Sequence, residues 1–227
     1  MPVANHLKIF SRPTEEGQQV VCKPYTSTTP KNQKGFIDFV IKCYPKTEQF
    51  PEGGKMGAFL RTQNVGDKLI MEGPLGMMTY KGNGLFVHKR KGERTVSKVG
   101  LIAGGSGITP MYSVAQAIHR AKETTVDVKF LYSNKTLGDI LLKQELDEIE
   151  NDESCTNIKI AHTITRESGE LPAGMRKGRV SIEMLRELGF PEPGDSTLIL
   201  MCGPKAMNEA TKALLLENGY TEEMVWP

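Results

Sequence analysis

The sequence lacks the features typical of membrane, secreted and nucleic-acid-binding proteins. No apolar run approaches the roughly 18 residues that a membrane-spanning helix needs, and the N-terminus has no signal-peptide apolar segment. The net charge is only +2, and basic residues are dispersed except near 89–94. We therefore expect a globular protein with no membrane span in this chain and no nucleic-acid partner.

Cysteine and histidine are also scarce and are not arranged as metal ligands. The four cysteines show neither metal-ligand spacing nor the density of a disulfide scaffold: Cys22, Cys43, Cys155 and Cys202. We expect no metal site, reduced thiols and an intracellular location, either cytoplasmic or peripheral to an organelle membrane. The four histidines are scattered and are interpreted as structural: His6, His88, His119 and His162.

The most informative motif is a glycine-rich turn, Gly104–Pro110, that directly follows the apolar run Val99–Ala103. Glycines let the backbone approach an anion closely, and a helix N-terminus directs free N–H groups toward it. Pro110 suits the first turn of the helix that follows, because proline lacks an N–H group that would be unpaired there. The pattern predicts a phosphate-binding loop; a strand-to-helix turn with no ligand remains the alternative.

Strand and helix patterns alternate from residue 99 onward, which predicts a doubly wound parallel sheet with helices on both faces. The strand candidates are 99–103, 126–132, 158–161 and 198–202. The helix candidates are one that begins at Thr109, one at 139–149, one that begins with the cap Ser181, and a last one from Gly203 to about Glu217. Ligands of such sheets bind at the carboxyl ends of the strands, where Gly105–Pro110 and Cys202–Pro204 both lie.

The first 90 residues instead show short strand candidates separated by turns, at 6–10, 19–25, 35–42 and 68–72. Strands without intervening long helices indicate an antiparallel sheet or barrel. Core residues are expected at Phe36, Ile37, Phe39, Val40 and Ile41. The glycine-rich, basic stretch 82–98 is interpreted as a linker or an exposed hairpin. We therefore place one domain at 1–88, a linker at 89–98 and a second domain at 99–227.

Five segments, in order and spacing, resemble the NADH–cytochrome b5 reductase family of the ferredoxin-reductase-like flavoprotein superfamily. They are Lys23–Thr26, Gly53–Gly57, Gly104–Pro110, Asp139–Leu142 and Leu200–Pro204. The resemblance implies two domains, an FAD-binding antiparallel β-barrel and an NAD-binding α/β domain. The family's barrel begins earlier than this chain, so the barrel is expected to lack its first strands. Three explanations are open: the chain is a truncated product, a partner covers the exposed sheet edges, or FAD binding is weakened or lost.

The resemblance also implies which residues bind FAD. The family motif Arg-x-Tyr-Ser/Thr corresponds to Lys23, Pro24, Tyr25 and Thr26, with Tyr25 against the flavin and Thr26, a catalytic residue, near its N5 edge. The family's strand motif Val-x-Lys-x-Tyr corresponds to Val40, Lys42 and Tyr44, with Lys42 near the pyridine nucleotide. The pyrophosphate is assigned to the turn that contains Gly54, Lys55, Met56 and Gly57.

The nicotinamide nucleotide is assigned by the same resemblance to the α/β half. Gly105, Thr109 and Pro110 belong to the first loop, with Thr109 facing flavin and nicotinamide. Cys202, Gly203 and Pro204 border the nicotinamide ring, with Met207 beside them, and Cys202 is the second catalytic residue. Asp139 corresponds to an acidic residue that favours NADH over NADPH, because a carboxylate near the ribose repels a 2′-phosphate.

Four features depart from the family pattern, and four residues have plainer interpretations. Ala4 stands where the family usually has glycine, and the chain ends in Val225–Pro227, where the family usually ends in an aromatic that helps close the nicotinamide pocket; Trp226 is the candidate for that role. Lys23 replaces an arginine and Gly57 replaces a serine, which removes a bidentate donor and a hydroxyl. In these plainer interpretations Tyr25 is a core tyrosine and Lys42 is a solvated lysine on a strand. Asp139 is a helix N-cap, and Cys202 is a small apolar residue at the end of a strand.

Three functions follow. The first is an FAD-containing oxidoreductase that takes hydride from NADH and passes electrons to a haem protein such as cytochrome b5. The second is the same core serving another acceptor, as in nitrate-reductase-like modules. The third is a non-catalytic nucleotide-binding or interaction protein derived from the reductase. No side chain need act as acid or base in the first two, because the cofactor carries the hydride chemistry.

Overall fold

The N-terminal part of the protein is antiparallel, as the sequence predicts. The computed structural model describes residues 1–12, 19–48 and 50–227. The elements of this part are β1 (His6–Phe10), β2 (Cys22–Thr26), α1 (Lys55–Arg61), β3 (Ile70–Leu75), β4 (Met78–Gly82), β5 (Leu85–His88) and β6 (Gly92–Thr95). They form two three-stranded sheets, in the orders β2-β1-β3 and β4-β5-β6.

The predicted strand at 35–42 is wrong. This segment joins no sheet among the described residues; its backbone instead makes a local contact in which the Thr28 amide donates to the Asp38 carbonyl at 3.0 Å. Alternate side chains of a strand become buried only when neighbouring strands flank it. Phe36 and Ile37 accordingly stay 57% and 37% exposed and do not belong to the core, whereas Val40 is half-buried and packs against it.

The basic stretch 89–98, which the domain division treats as a linker, is part of a hairpin. Residues 92–95 form β6, which pairs with β5 in antiparallel register. The Arg94 guanidinium donates to the carbonyls of Glu223 at 2.6 Å and Asp195 at 3.1 Å. The Arg94 side chain therefore fixes this stretch to the segments of the C-terminal part that contain Asp195 and Glu223, and the stretch is not a free linker. The domain limits themselves stay a prediction.

The C-terminal part is a six-stranded parallel sheet with helices on both faces, which confirms the predicted fold class. Its elements are β7 (Lys98–Gly104), α2 (Ile108–Arg120), β8 (Asp127–Asn134), α3 (Lys143–Glu150), β9 (Ile158–Ile164), β10 (Arg176–Lys177), α4 (Ile182–Glu187), β11 (Thr197–Cys202), α5 (Lys205–Glu217) and β12 (Val225–Trp226). Among the helices of the described ranges, none has the length and apolar character to cross a membrane.

The strand order β10-β9-β8-β7-β11-β12 places a topological switch between β7 and β11. From β7 the chain builds outward through β8, β9 and β10, and then returns to the other side of β7 as β11. Open parallel sheets bind ligands in the crevice outside the carboxyl ends of the strands at such a point. The glycine loop leaves β7 here, and the loop that begins at Cys202 leaves β11 beside it.

The core explains why this half folds as the pattern predicts. Successive residues of a strand face opposite sides of the sheet. Leu101 accordingly packs in the core that contains α2, whereas Ile102 packs in the core that contains Leu185 of α4 and Leu215 of α5; all four are buried. Strands covered on both faces need continuous apolar runs, and those runs are what the sequence displays.

The predicted helix 139–149 is wrong over its first half. A short 3-10 turn covers Leu137–Asp139, and α3 begins only at Lys143. Leu142 adopts a left-handed conformation with φ of 56°, which interrupts any helix. By contrast, Ser181 caps α4 as predicted, because its hydroxyl accepts from the Met184 amide at 3.4 Å.

Candidate active site

One large cleft lies between the antiparallel part and the carboxyl ends of the parallel strands. Its volume is about 1730 Å³, beyond the roughly 300–1,000 Å³ of a site for one small ligand. Every residue that the sequence analysis assigns to a cofactor or to catalysis lines this cleft, from Lys23 on β2 to Met207 on α5. The cleft therefore unites motifs that are almost 200 residues apart in the chain.

The glycine loop and the Cys202 loop are packed backbone to backbone. A Cβ atom at Gly107 would lie 2.2 Å from the Cys202 carbonyl oxygen, and one at Gly203 would lie 3.1 Å from the Gly104 Cα. Gly105 differs, because it has φ of 52° and a Cβ there would meet nothing within 4 Å. The glycine loop is therefore packed against the Cys202 loop on one side and leaves open space for a ligand at Gly105.

The hydroxyl of Tyr132 holds this loop in place. It donates to the Gly105 carbonyl at 2.9 Å and accepts from the Leu141 amide at 3.3 Å. Burial raises the pKa of Tyr132 to about 12, so the donor stays protonated at neutral pH. This contact is therefore kept over the physiological pH range.

Two buried threonines and one cysteine supply the polar groups near the switch point. Thr26 ends β2 and Thr109 lies in the first turn of α2; they are 8% and 7% exposed. Cys202 ends β11, and burial raises the pKa of its thiol. The thiol is therefore neutral near pH 7 and is suited to contact a ring rather than to act as a nucleophile.

β2 and the turn before α1 form the opposite wall. Tyr25 lies in the cleft, and burial, followed by the neighbouring Cys43 and Tyr44, raises the pKa of its hydroxyl, which stays a donor. The Gly53 and Gly54 amides are engaged by the Phe50 and Tyr44 carbonyls, at 3.1 and 2.8 Å. The donors that this turn offers a phosphate are therefore the first amides of α1, Lys55–Gly57, which precede the first helical hydrogen bond.

The glycine at position 57, where the resemblance expects serine, has a packing reason. A Cβ atom there would lie 3.2 Å from the Cys43 Cα and 3.3 Å from the Cys43 Sγ. The helix α1 therefore sits close against the segment that carries Lys42 and Tyr44. A serine would push this wall of the cleft outward.

Lys42 and Asp139 form an ion pair that bridges the two halves across the cleft wall, with side chains 22% and 24% exposed. Asp139 also accepts from the Thr136 amide at 3.2 Å and the Thr136 hydroxyl at 3.1 Å. Burial opposes ionisation of Asp139, but the hydrogen bonds from Lys42 and Thr136 outweigh it and lower the pKa. Asp139 is thus a local cap and a charge partner at once, and its charge is compensated.

The cleft also contains Trp226, the aromatic candidate at the C-terminus, and two histidines that sequence reasoning did not assign to it. The rings of His88 and Trp226 lie 5.0 Å apart between centroids, and both line the cleft. His6 lines it too, so two of the four histidines interpreted as structural border the cleft. The His88 Nδ1 accepts from the Arg90 amide at 3.2 Å, and burial, followed by Lys91 and Arg90, lowers the pKa of the ring.

A second missed group lies at the ends of β8, β9 and β10. It consists of Asn134, Lys135, Thr165, Arg166 and Arg179. No local motif marks these residues, because each follows a different strand. Only the parallel topology brings them to one edge of the sheet.

Comparison with known proteins agrees with this geometry. Residues 1–80 match the oxidoreductase FAD-binding domain family, and residues 101–213 match the oxidoreductase NAD-binding domain family. NADH-cytochrome b5 reductase 3 of Rattus norvegicus is 37% identical over 214 residues, which cover 91% of this chain and 69% of that protein. The NADH nitrate reductase of Volvox carteri is 34% identical over 228 residues, which cover 99% of this chain and 26% of that protein.

A solved structure is similar over nearly the whole chain. The crystal structure of the cytochrome b5 reductase domain of Ulva prolifera nitrate reductase superposes with a TM-score of 0.90 at 30% identity, and covers 99% of this chain and 84% of that one. The open space at Gly105, the first-turn amides of α1, which have no partner among the described residues, and the cleft volume fit two dinucleotides. This chain is an FAD- and NAD-binding oxidoreductase, and it belongs to the NADH–cytochrome b5 reductase family.

Proposed function

We propose that the protein takes hydride from NADH onto bound FAD and passes the electrons to a haem protein of the cytochrome b5 type. The observation that carries the proposal is the shared cleft. The FAD-side residues Lys23–Thr26 and the nicotinamide-side residues Cys202–Pro204 face one space, so a donor ring and an acceptor ring can meet there.

A bound flavin supplies the chemistry, because it accepts a hydride and releases single electrons. The chain's own residues hold and orient it. Tyr25 offers a flat apolar face and a protonated hydroxyl, and Thr26 offers a buried hydroxyl at the end of β2. Lys23 provides a point charge for the phosphates in place of an arginine fork.

The α/β half positions the nicotinamide. Gly105 leaves room for the pyrophosphate at the start of the glycine loop, and the α2 N-terminus directs its dipole toward negative charge. Thr109 and the neutral Cys202 thiol border the space in which the two rings meet. Because the neighbouring loops are interlocked, this boundary is rigid and favours one ring orientation.

The electron acceptor is proposed to dock on the basic turn between β5 and β6. Lys89, Arg90 and Lys91 are exposed there, directly after the cleft-lining His88. The Lys91 ammonium donates to the Glu222 carbonyl at 2.5 Å and lies 6.0 Å from the centroid of the Trp226 ring, which fixes the turn beside the cleft. A positive rim of this kind attracts an acidic partner and accelerates its association.

The test compares two acceptors with the flavin-loaded protein. NADH oxidation is measured with cytochrome b5 and with menadione, a neutral quinone, at low ionic strength. We expect the variant K89Q/R90Q to lose about five- to tenfold in kcat/KM for cytochrome b5 and to keep its menadione rate. The control K159Q/K177Q removes the same charge from exposed positions outside the cleft lining and is expected to change neither rate.

The second candidate, a reductase module for another acceptor, has its support in the likeness to the nitrate reductase domain. Under that alternative, menadione is reduced and cytochrome b5 is not, whatever the charge at 89–90. Absence of NADH oxidation with either acceptor would contradict both enzymatic functions and would favour the non-catalytic one.

A further inference from the structure

The edge of the sheet formed by β8, β9 and β10 carries a cluster of positive charge that the proposed function does not use. Lys135, Arg166 and Arg179 each follow the carboxyl end of one of these strands and line the cleft. They lie on the opposite side of the glycine loop from Cys202, since the strand order is β10-β9-β8-β7-β11. Neighbouring strands are roughly 4.8 Å apart, so the cluster begins one strand beyond the pyrophosphate site.

The cluster is built on a fixed backbone. Three amide-to-carbonyl hydrogen bonds tie the strand ends together: Thr165 to Asn134 at 2.9 Å, Arg166 to Lys135 at 2.7 Å, and Gly178 to Ile164 at 2.9 Å. The three basic residues therefore project from one continuous platform, and their backbone positions do not depend on a ligand.

The positive charges of this cluster are not neutralised within the described ranges. The side chains of Lys135, Arg166 and Arg179 are exposed, and none of the ion pairs in that part of the chain includes them. Four carboxylates lie within four residues of these side chains, and none of them pairs with the cluster among the described residues: Glu170 and Glu183 form no ion pair there, and the other two are engaged elsewhere. Glu167 accepts from the Leu137 amide at 3.1 Å, and Asp139 pairs with Lys42.

Asn134 adds an independent sign of a ligand. Its side chain lines the cleft and is 4% exposed, yet neither its Nδ2 nor its Oδ1 makes a hydrogen bond of ordinary geometry among the described residues. The Tyr132 hydroxyl lies close enough to interact with the Asn134 side chain, but its own hydrogen bonds join it to Gly105 and Leu141. Unpaired buried amide atoms are destabilising, so a polar ligand group at this position has a favourable site.

We propose that this edge binds the 2′-phosphate of NADPH, so that the protein accepts NADPH as well as NADH. Arg166 and Arg179 supply guanidinium forks that match a phosphate, Lys135 adds a point charge, and Asn134 pairs with a ribose or phosphate oxygen. The expected preference for NADH from Asp139 is weakened, because Lys42 compensates its charge. The proposal rests on the proposed function for its physiological meaning but not for its test.

The test uses two fragments that differ only by the 2′-phosphate. Binding of adenosine 2′,5′-bisphosphate and of 5′-AMP to the full chain is measured by calorimetry at low ionic strength. We expect the bisphosphate to bind about tenfold or more tightly. R166Q/R179Q should reduce this ratio to within about threefold while 5′-AMP affinity is retained, which shows that the variant is folded. K177Q, a neighbouring charge outside the cleft lining, should leave the ratio unchanged.

Equal affinity of the native protein for the two fragments would overturn the inference, as would an unchanged ratio in R166Q/R179Q. With the flavin-loaded protein, we further expect NADPH to support turnover and its kcat/KM to fall about tenfold or more in R166Q/R179Q, with little change for NADH. Turnover with NADH alone would contradict this inference and leave the proposed function intact. Failure of NADH itself would contradict the proposed function, and the fragment comparison would still decide the inference, because it needs no flavin.

Discussion

The ion pair between Lys42 and Asp139 gives the sharpest prediction about how the two halves are held together. Asp139→Asn removes the negative charge but keeps an oxygen that can accept from Thr136, so the change isolates the ionic interaction. Unit charges about 4 Å apart attract by roughly 4 kcal/mol at an intermediate effective dielectric, whereas exposed pairs contribute about 0.2–1 kcal/mol. With side chains 22% and 24% exposed, the net coupling should lie between, at about 1–2 kcal/mol.

The assay is a double-mutant cycle in urea. The free energy of unfolding is measured for the native protein, Asp139→Asn, Lys42→Met and the double variant. The pKa of Asp139 is lowered in the fold, so its contribution is present above the ordinary value of 3.8 and is lost as pH falls through the lowered value. The coupling should therefore disappear under acid conditions. A coupling below about 0.3 kcal/mol near pH 7 would refute the reasoning and show that the pair is no more than a surface contact.

Three further predictions concern the loops and the buried histidine. Cys202→Ala should slow flavin reduction by NADH in stopped-flow experiments while the melting temperature moves little; a large loss of stability with normal reduction would make Cys202 a core residue only. Gly107→Ala should lower the free energy of unfolding by about 2 kcal/mol or more, because its Cβ would lie 2.2 Å from the Cys202 carbonyl oxygen. Gly105→Ala should lower it by only about 1 kcal/mol, because a Cβ there has open space and only the left-handed backbone is strained. Equal losses in the two variants would contradict the packing of the two loops. Burial and, to a smaller extent, the charge of Lys143 lower the pKa of His162 below 6.5. The unfolded chain therefore takes up this proton at a higher pH than the folded chain, and the free energy of unfolding should fall as pH drops below 6.5. His162→Phe should flatten that part of the pH–stability curve, and an unchanged slope would assign the titration to another group.

The sequence predicts the α/β half well because burial on both faces leaves a strong signal. The runs 99–103 and 198–202 lie within β7 and β11, and the last helix ends at Glu217 as expected. Continuous apolar strands followed by glycine turns permit few other structures. The early part of the predicted helix at 139 fails because one residue, Leu142, turns left-handed, and no propensity indicates that for leucine.

The antiparallel half is harder to predict because strand formation depends on partners. The segment 35–42 has an apolar, β-branched composition but pairs with no strand of the described chain, and Phe36 remains exposed. In the site, glycine, proline and cysteine motifs identify the two interlocked loops. Arg166 and Arg179 carry no such motif; only the register that joins β8, β9 and β10 places them together, and that is a property of the folded sheet.

The central claim is that one cleft brings NADH and FAD together for hydride transfer, and anaerobic stopped-flow spectroscopy tests it most directly. The protein is reconstituted with FAD, freed of unbound flavin and mixed with NADH, while the flavin absorption near about 450 nm is followed. We predict that flavin stays bound and that this absorption is lost in a reaction whose rate saturates with NADH. A protein that retains no flavin, or whose flavin absorption does not change on mixing, would contradict the account.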